Sequence, residues 1–278
     1  MPRGDDVHVP QVIPVYSISK PFLAQAVLEL AVPLHRHIGA FLPHLQPVYA
    51  QRTLASLLNH TSGLADYTQI PDYRAAVQAG ESAWSRERLL QHCEGLRHDL
   101  SGFNYSNIGY LLLRMLLESQ TGLEYFEALK KLVFTPLSIR GFQEWQAALN
   151  IVPGYDPGWV YSGTFLADAT AIGDAIARLG RYRAATQGLS AGLVSVDHRD
   201  TGFDSPGYNF GFMTDGGSAS QSPTLIGHGG SGPGWRLIAL ADTSTWLAAC
   251  EYSDGEFDQT MAIGRLRETL RLRARPTE

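Results

Sequence analysis

The most constraining feature of this sequence is a segment near its start that is apolar or small at nearly every position. Within residues 18–31 the apolar side chains recur at helical spacing: Phe22, Leu23, Ala26, Val27 and Leu30. This pattern predicts a helix buried on most sides, so the rest of the chain must fold around it. Pro21 is tolerated only in the first turn of a helix, which places the helix start near Ser17 to Ser19.

The remaining sequence divides into a helical middle and a strand-rich end. Apolar periodicity predicts helices at 52–59, 84–95, 108–119, 124–134, 166–183 and 258–273. Short apolar runs between glycine-rich turns predict strands at 207–214, 224–228, 234–241 and 245–252. An edge strand and a turn are expected within residues 6–15, which Pro10 and Pro14 interrupt.

This order of elements predicts an α+β fold. We expect an antiparallel sheet that is flanked by helices, is completed by both ends of the chain and carries an inserted, mainly helical subdomain. The predicted sheet domain comprises residues 1–50 and 185–278, and the helical subdomain comprises residues 51–184. A chain of 278 residues is long enough for this arrangement and for a sizeable core.

Charge and hydropathy exclude several classes of function. The net charge is −5, from 22 basic and 27 acidic residues, whereas nucleic-acid binding needs a basic surface. No apolar run reaches the roughly 18 residues that span a bilayer, so we expect no membrane partner. Residues 1–14 contain no apolar core typical of a signal peptide. The sequence therefore predicts a cytoplasmic protein, or a periplasmic one if a leader has been removed.

The sequence contains no pattern typical of a metal or cofactor site. Cys93 and Cys250 are far apart and lack the spacing of a zinc or redox motif. We expect two buried thiols, with a single disulfide as the alternative. His35, His37 and His44 lack the paired spacing of a zinc helix and are interpreted as surface residues. We therefore expect neither metal nor cofactor.

The first chemical motif is Ser-x-x-Lys, formed by Ser17 and Lys20 at the start of the apolar helix. The two side chains lie one turn apart on the same side of that helix. A serine hydroxyl is a poor nucleophile unless a base removes its proton, and a buried lysine with a lowered pKa can do so. The alternative is an ordinary serine cap beside a solvated lysine.

Two further motifs contain suitable partners. Tyr105 and Asn107 form a Tyr-x-Asn before an apolar helix, where a phenol can relay protons and an amide can hold both a substrate carbonyl and the lysine. His228-Gly229-Gly230-Ser231 follows a strand-like run. Its glycines let a substrate backbone approach a sheet edge, and a backbone N–H there can complete an oxyanion hole. The structural alternatives are a helix cap and a glycine-rich hairpin turn.

In this order the three motifs resemble those of the serine hydrolases related to penicillin-binding proteins and class C β-lactamases, which include DD-peptidases and esterases. The similarity extends from Val15 to the last helix, through residues 53–67, 170–179, 208–212 and 227–240. It implies an antiparallel sheet with helices, a mainly helical domain, and a site between them.

The resemblance also implies roles for individual residues. Ser17 would attack a carbonyl to form an acyl-enzyme, and Lys20 and Tyr105 would share the acid and base steps. Asn107 would orient the substrate together with His228, Gly229 and Gly230. The backbone N–H groups of Ser17 and Ser231 would form the oxyanion hole. The implied substrate is a small ester, a D-amino-acyl amide or a β-lactam-like compound.

The sequence departs from the family pattern at two places. His228 stands where β-lactamases of this kind carry lysine, which favours a peptidase or esterase. Only sixteen residues precede Ser17, where members usually have a helix and two strands. We therefore expect either a narrower sheet or a sheet edge covered by a second copy of the chain in a homodimer.

Two other interpretations stay open. A catalytically weak or inactive member acting as a binding protein fits the short start of the chain. A competing motif, Gly188-x-Ser190-x-Gly192, resembles a nucleophile elbow, but an elbow needs a strand before the serine and a helix after it. Here a helical segment precedes Ser190 and a strand-like one follows. His60 is expected to have a structural role in a turn.

Overall fold

The computed structural model describes residues 11–96, 98, 101–197, 201–218 and 220–275. In these ranges the α-helices are α1 (Lys20–Glu29), α2 (Pro47–Ala50), α3 (Leu54–Leu58), α4 (Pro71–Gln78), α5 (Arg86–Cys93), α6 (Asn107–Thr121), α7 (Tyr125–Leu129), α8 (Ala169–Thr186) and α9 (Gln259–Arg273). The strands are β1 (Ile13–Pro14), β2 (Leu166–Ala167), β3 (Val194–Ser195), β4 (Pro206–Asn209), β5 (Phe212–Asp215), β6 (Leu225–Gly232), β7 (Trp235–Asp242) and β8 (Ala248–Ser253).

Strands β3 to β8 form one antiparallel sheet in chain order. The centre of the sheet is the long β6–β7 hairpin, in which Leu225 pairs with Asp242 and Gly232 with Trp235. Side chains alternate between the two faces of a strand. On β7, Leu237 and Ala239 accordingly belong to the main core, whereas Ile238 joins a second core beneath α9.

Helices cover both faces of this sheet, which confirms the predicted α+β class. Helix α9 contributes Ala262, Ile263 and Leu266 to the second core. Helix α8 packs against β7 and β8 on the other face, where Gly173 lies against the backbone of Ala249. The division into residues 1–50 with 185–278 and residues 51–184 stays a prediction. Helix α8, assigned by it to the helical subdomain, contacts the sheet.

The prediction that one sheet is completed by both ends of the chain is wrong for the described residues. Strand β1 pairs with β2 in a separate two-stranded sheet, with Ile13 opposite Ala167. The strand contains Pro14, which has no N–H to donate, so little of it can join a ladder. Residues 6–10 of the predicted edge strand lie outside the described residues.

Helix α1 is buried on most sides, as the sequence predicts. Eight of its residues, from Lys20 to Val27, are buried. Phe22 packs edge-to-face on Phe134, Phe142 and Phe165, which attaches the helix to the segments around it. Residues Tyr16–Ser19 form a 3-10 turn before the helix. Ser17 therefore lies on a turn that leads directly into the core.

Several elements differ in detail from the sequence-based expectation. The single strand expected at 207–214 is the β4–β5 hairpin, whose turn at Phe210 and Gly211 has positive φ angles of 32° and 95°. A Cβ at Gly211 would lie 2.8 Å from the Lys20 carbonyl oxygen, so this turn rests against the start of α1. Helices α2 and α4 were not predicted, because short helices show little periodicity. Both cysteines are free thiols: Cys93 is buried and Cys250 is half-buried.

Candidate active site

A cavity of about 440 Å³ opens where the start of α1, the start of α6 and strand β6 meet. It is lined by residues of all three sequence motifs, including Ser17, Tyr105, Asn107, His228, Gly229, Gly230 and Ser231. These residues are far apart in the sequence, so their presence around one cavity is a result of the fold. Ser17 is half-exposed there and Lys20 lies buried behind it.

Lys20 is the centre of the hydrogen-bond network. Its Nζ donates to Ser17 Oγ at 2.8 Å and to Asn107 Oδ1 at 2.8 Å, and lies 3.5 Å from Ser162 Oγ. The side chain is fully buried, and burial lowers the pKa of its amine to about 7, although the Asp66 charge acts in the opposite direction. An amine with this pKa is partly neutral at neutral pH and can take the Ser17 proton.

Tyr105 lies beside both Ser17 and Lys20. Its ring lies 5.1 Å from Lys20 Nζ, measured to the ring centroid. Burial raises the pKa of the Tyr105 phenol well above its usual range, and a hydrogen bond with Ser17 acts against that shift. The phenol is therefore protonated at neutral pH and is placed to pass a proton to or from the serine side of the cavity.

Asn107 connects the lysine to a carboxylate that the motifs did not contain. Its Nδ2 donates to Asp66 Oδ2 at 2.9 Å, while its Oδ1 faces Lys20. Asp66 is 8% exposed and lines the same cavity, and burial raises the pKa of its carboxyl. The sequence analysis missed Asp66, because its partner is 41 residues away and no spacing rule relates the two.

The Gly-rich motif lies within strand β6, and the hairpin turn expected as its alternative is absent from residues 228–231. Strand β5 pairs with β6 only at residues 225–227, so beyond this point one edge of β6 faces the cavity. A Cβ at Gly230 would lie 2.5 Å from the Val15 carbonyl oxygen. Only glycine lets the strand come this close to the turn that carries Ser17.

His228 is a neutral imidazole in this structure. It is 2% exposed, and burial lowers its pKa to about 3. Nε2 lies 3.2 Å from the Tyr208 hydroxyl, and Nδ1 lies 2.6 Å from the Gly229 carbonyl oxygen. A carbonyl can only accept, so Nδ1 carries the proton and Nε2 accepts from Tyr208. His228 therefore supplies no positive charge to the cavity at neutral pH.

His60 has the structural role that the sequence analysis assigned to it, and it supports the site. Its Nδ1 accepts a hydrogen bond from the Ser106 N–H at 3.2 Å. Its ring packs on Tyr105, with 4.3 Å between centroids, and on Tyr208 at 4.7 Å. Burial lowers the pKa of His60 well below its usual value, so it packs there as a neutral ring.

The competing motif around Ser190 is not part of this cavity. It follows α8 and precedes β3, so a helix comes before the serine and a strand after it, opposite to an elbow. Ser190 does not line the cavity that contains Ser17.

Within the described ranges, no group of His, Cys, Asp and Glu side chains could hold a metal ion. No helix in that part of the chain is long and apolar enough to cross a membrane.

Comparison with known proteins identifies the family. A family model described as Beta-lactamase matches residues 3–257. The chain belongs to the beta-lactamase family. Penicillin-binding protein 4* of Bacillus subtilis (strain 168) is 28% identical over 155 residues, which cover 52% of this chain and 34% of that protein. The match thus spans about a third of this curated relative.

Solved structures share the fold. A D-stereospecific amidohydrolase from Streptomyces sp. superimposes with a TM-score of 0.70 at 21% identity, over 90% of this chain and 83% of that one. A D-amino acid amidase from Ochrobactrum anthropi SV3, complexed with L-phenylalanine amide, gives a TM-score of 0.70 at 20% identity, over 95% and 84%. An octameric penicillin-binding protein homologue from Pyrococcus abyssi gives 0.71 at 17% identity, over 94% and 66%.

Proposed function

We propose that this protein is a serine hydrolase that forms an acyl-enzyme through Ser17 with an ester or amide substrate. One observation carries the proposal. The buried amine of Lys20, with a pKa lowered to about 7, lies 2.8 Å from Ser17 Oγ at the edge of a cavity. Membership of the beta-lactamase family supports this chemistry for the chain.

The proposed reaction has two stages. In the first, Ser17 Oγ attacks the substrate carbonyl carbon and its proton passes to Lys20 Nζ, while the backbone N–H groups of Ser17 and Ser231 receive the oxyanion. The bond to the leaving group then breaks, and the proton passes to the leaving oxygen or nitrogen through Tyr105. In the second stage, water attacks the ester carbonyl and loses a proton to the same groups; the bond between the acyl carbon and Ser17 Oγ then breaks, the proton passes to Oγ, and the acid product leaves.

The substrate that fits best is an ester or amide without a carboxylate beside the scissile bond. His228 occupies the strand position that carries lysine in related β-lactamases, and it is neutral in this structure. A neutral imidazole cannot form an ion pair with a carboxylate, and the one N–H of His228 is already donated to the Gly229 carbonyl oxygen. The sequence led us to expect a peptidase or an esterase from His228; because the imidazole is neutral, we favour an amino-acyl amide or a simple ester over a β-lactam or a peptide ending in D-alanine. The amidase similar in fold was solved with L-phenylalanine amide.

The proposal is tested by intact mass spectrometry after exposure to a fluorophosphonate and, separately, to a penicillin. We expect a single fluorophosphonate adduct that maps to Ser17, is lost in Ser17→Ala and persists in the matched control Ser190→Ala. A penicillin adduct as well would shift the substrate assignment towards β-lactams and D-alanyl peptides. The absence of any adduct would contradict the proposal and favour the alternative of an inactive binding protein.

A further inference from the structure

We propose that Asp66 is a positioning residue of this site. Its carboxylate fixes the orientation of the Asn107 amide and, through that amide, the place of the Lys20 amine beside Ser17, and its negative charge acts on that amine. This inference rests on the proposed function, since a positioning role needs a reaction. Asp66 is absent from all three sequence motifs, and it lies two hydrogen bonds from the Lys20 amine.

The contacts require one orientation of the amide. Asn107 Nδ2 lies 2.9 Å from Asp66 Oδ2, and Asn107 Oδ1 lies 2.8 Å from Lys20 Nζ. Rotating the amide by half a turn would bring its oxygen against a carboxylate and its NH₂ group against an amine. The contact with Asp66 would then be repulsive because acceptor would face acceptor, and the amide would no longer accept a hydrogen bond from Lys20 Nζ. The carboxylate therefore determines which end of Asn107 meets Lys20.

Asp66 is itself held in place by its neighbours. Its Oδ1 accepts from the Thr68 N–H at 2.9 Å, which caps the 3-10 turn Tyr67–Gln69. The preceding carbonyl, that of Ala65, accepts from Ser106 Oγ at 2.7 Å. Ser106 is the residue between Tyr105 and Asn107. The segment that carries Asp66 is thus tied directly to the segment that carries Tyr105 and Asn107.

Asp66 also opposes the electrostatic effect of burial on Lys20. Its charge raises the pKa of the lysine, whereas burial lowers it. The other titratable groups around Lys20 are the phenols of Tyr105 and Tyr110, whose ring centroids lie 5.1 and 5.4 Å from Nζ, and the neutral rings of His60 and His228. The remaining polar neighbours of the Lys20 amine are Ser17, Asn107 and Ser162. Among the described residues, Asp66 is the carboxylate whose charge acts on the pKa of Lys20.

The direct test follows the titration of Lys20 by NMR in the full-length protein labelled with ¹³C-lysine. The chain has only three lysines, and Lys130 and Lys131 are exposed, so Lys20→Met assigns the resonance. In Asp66→Asn, which keeps the shape and an acceptor oxygen, we expect the Lys20 midpoint to fall by about 0.5–1 pH unit. The matched control Asp168→Asn, at the cap of α8, should leave it unchanged. An unchanged midpoint in Asp66→Asn would overturn the inference.

Activity provides the second measurement. In Asp66→Asn, the rise of kcat/KM on the acid side of its pH profile should move to lower pH, by the same amount as the midpoint of the Lys20 titration. In Asp66→Ala, Asn107 loses its acceptor and kcat/KM should fall by about 10- to 100-fold. A purely structural role would lower kcat/KM without moving this rise and would contradict the proposal.

The two proposals fail in different ways. If a fluorophosphonate labels Ser17 in the wild-type protein but Asp66→Asn leaves the Lys20 titration unchanged, only the role given to Asp66 is wrong. If the wild-type protein is not labelled, the proposed function fails, and with it the positioning role.

Discussion

At the residue scale, the site depends on the amine of Lys20, an ionisable group that lies fully buried at the start of an apolar helix. Burial lowers its pKa to about 7, so the neutral, basic form increases as the pH rises through that value. We therefore predict that kcat/KM for a neutral ester rises with pH and levels off above about 7. A pH–rate profile between pH 5 and 9 measures this. A flat profile would show that Lys20 is not the base.

Replacing the lysine separates its chemical role from its packing. Lys20→Met keeps most of the buried volume and removes the amine, so we expect fluorophosphonate labelling of Ser17 to slow by about 10²- to 10⁴-fold. Thermal unfolding should change little, because removing a buried ionisable amine offsets the loss of its hydrogen bonds to Ser17 Oγ and Asn107 Oδ1. The labelling rate and the melting temperature are the two measurements. Labelling at the wild-type rate would contradict the role of Lys20.

Sequence reasoning found the residues that share a motif and missed those that meet only in the fold. Ser17 and Lys20 are one helical turn apart, so their contact follows from local geometry. Asp66 is different, since its contact with Asn107 joins segments 41 residues apart. His60 was expected only to have a structural role in a turn, and its contacts with Ser106 and Tyr105 likewise join distant segments. Their roles depend on tertiary structure, which no local pattern indicates.

At the scale of elements, the site depends on how closely strand β6 approaches the turn at Tyr16–Ser19. We predict that Gly230→Ala lowers kcat/KM at least about tenfold, because its Cβ would lie 2.5 Å from the Val15 carbonyl oxygen and push the strand away. The control is Gly264→Ala in α9, where a Cβ meets nothing within 4 Å. It should keep full activity and stabilise the helix by about 0.5–1 kcal/mol. Equal activity in both variants would contradict the prediction.

Strong apolar periodicity predicted the bounds of some helices closely, whereas a glycine-rich composition hid the full length of a strand. Helix α6 (Asn107–Thr121) lies close to the expected 108–119, because its apolar face recurs over four turns. Strand β6 extends to Gly232, although its second half is glycine-rich and has the composition of a turn. Pairing with β7 and contact with the serine turn keep this stretch extended, and both interactions are invisible to local propensity.

At the scale of the whole molecule, Arg183 joins three parts of the fold. From α8 it donates to Gln25 Oε1 at 3.0 Å and to the carbonyl oxygens of Pro21 on α1, at 3.2 Å, and Phe210 in the β4–β5 turn, at 2.6 Å. The side chain is 1% exposed. It therefore holds the helix that carries Lys20 against the sheet.

We predict that Arg183→Met lowers the free energy of unfolding by about 2–4 kcal/mol, because it leaves several buried acceptors without a donor. The control Arg178→Met removes an exposed arginine of the same helix and should cost about 0.5 kcal/mol or less. Urea unfolding of both variants measures the difference. Equal stability would mean that the hydrogen bonds of Arg183 do not hold α1 to α8.

The sheet ends at β8, which pairs with β7 in the described part of the chain. A second copy covering this edge stays a prediction of the sequence analysis. Light scattering at micromolar concentration tests it: a mass of twice the 30.4 kDa chain would support a homodimer, and a mass of one chain would contradict it.

The proposed mechanism requires that Ser17 becomes acylated during turnover. The most direct measurement is rapid acid quenching during hydrolysis of a p-nitrophenyl ester, followed by mass spectrometry of the intact protein and its peptides. We predict a transient mass increase equal to one acyl group on the peptide that contains Ser17, absent in Ser17→Ala. Turnover that continues in Ser17→Ala, or an acyl group on another residue such as Ser190, would contradict the account.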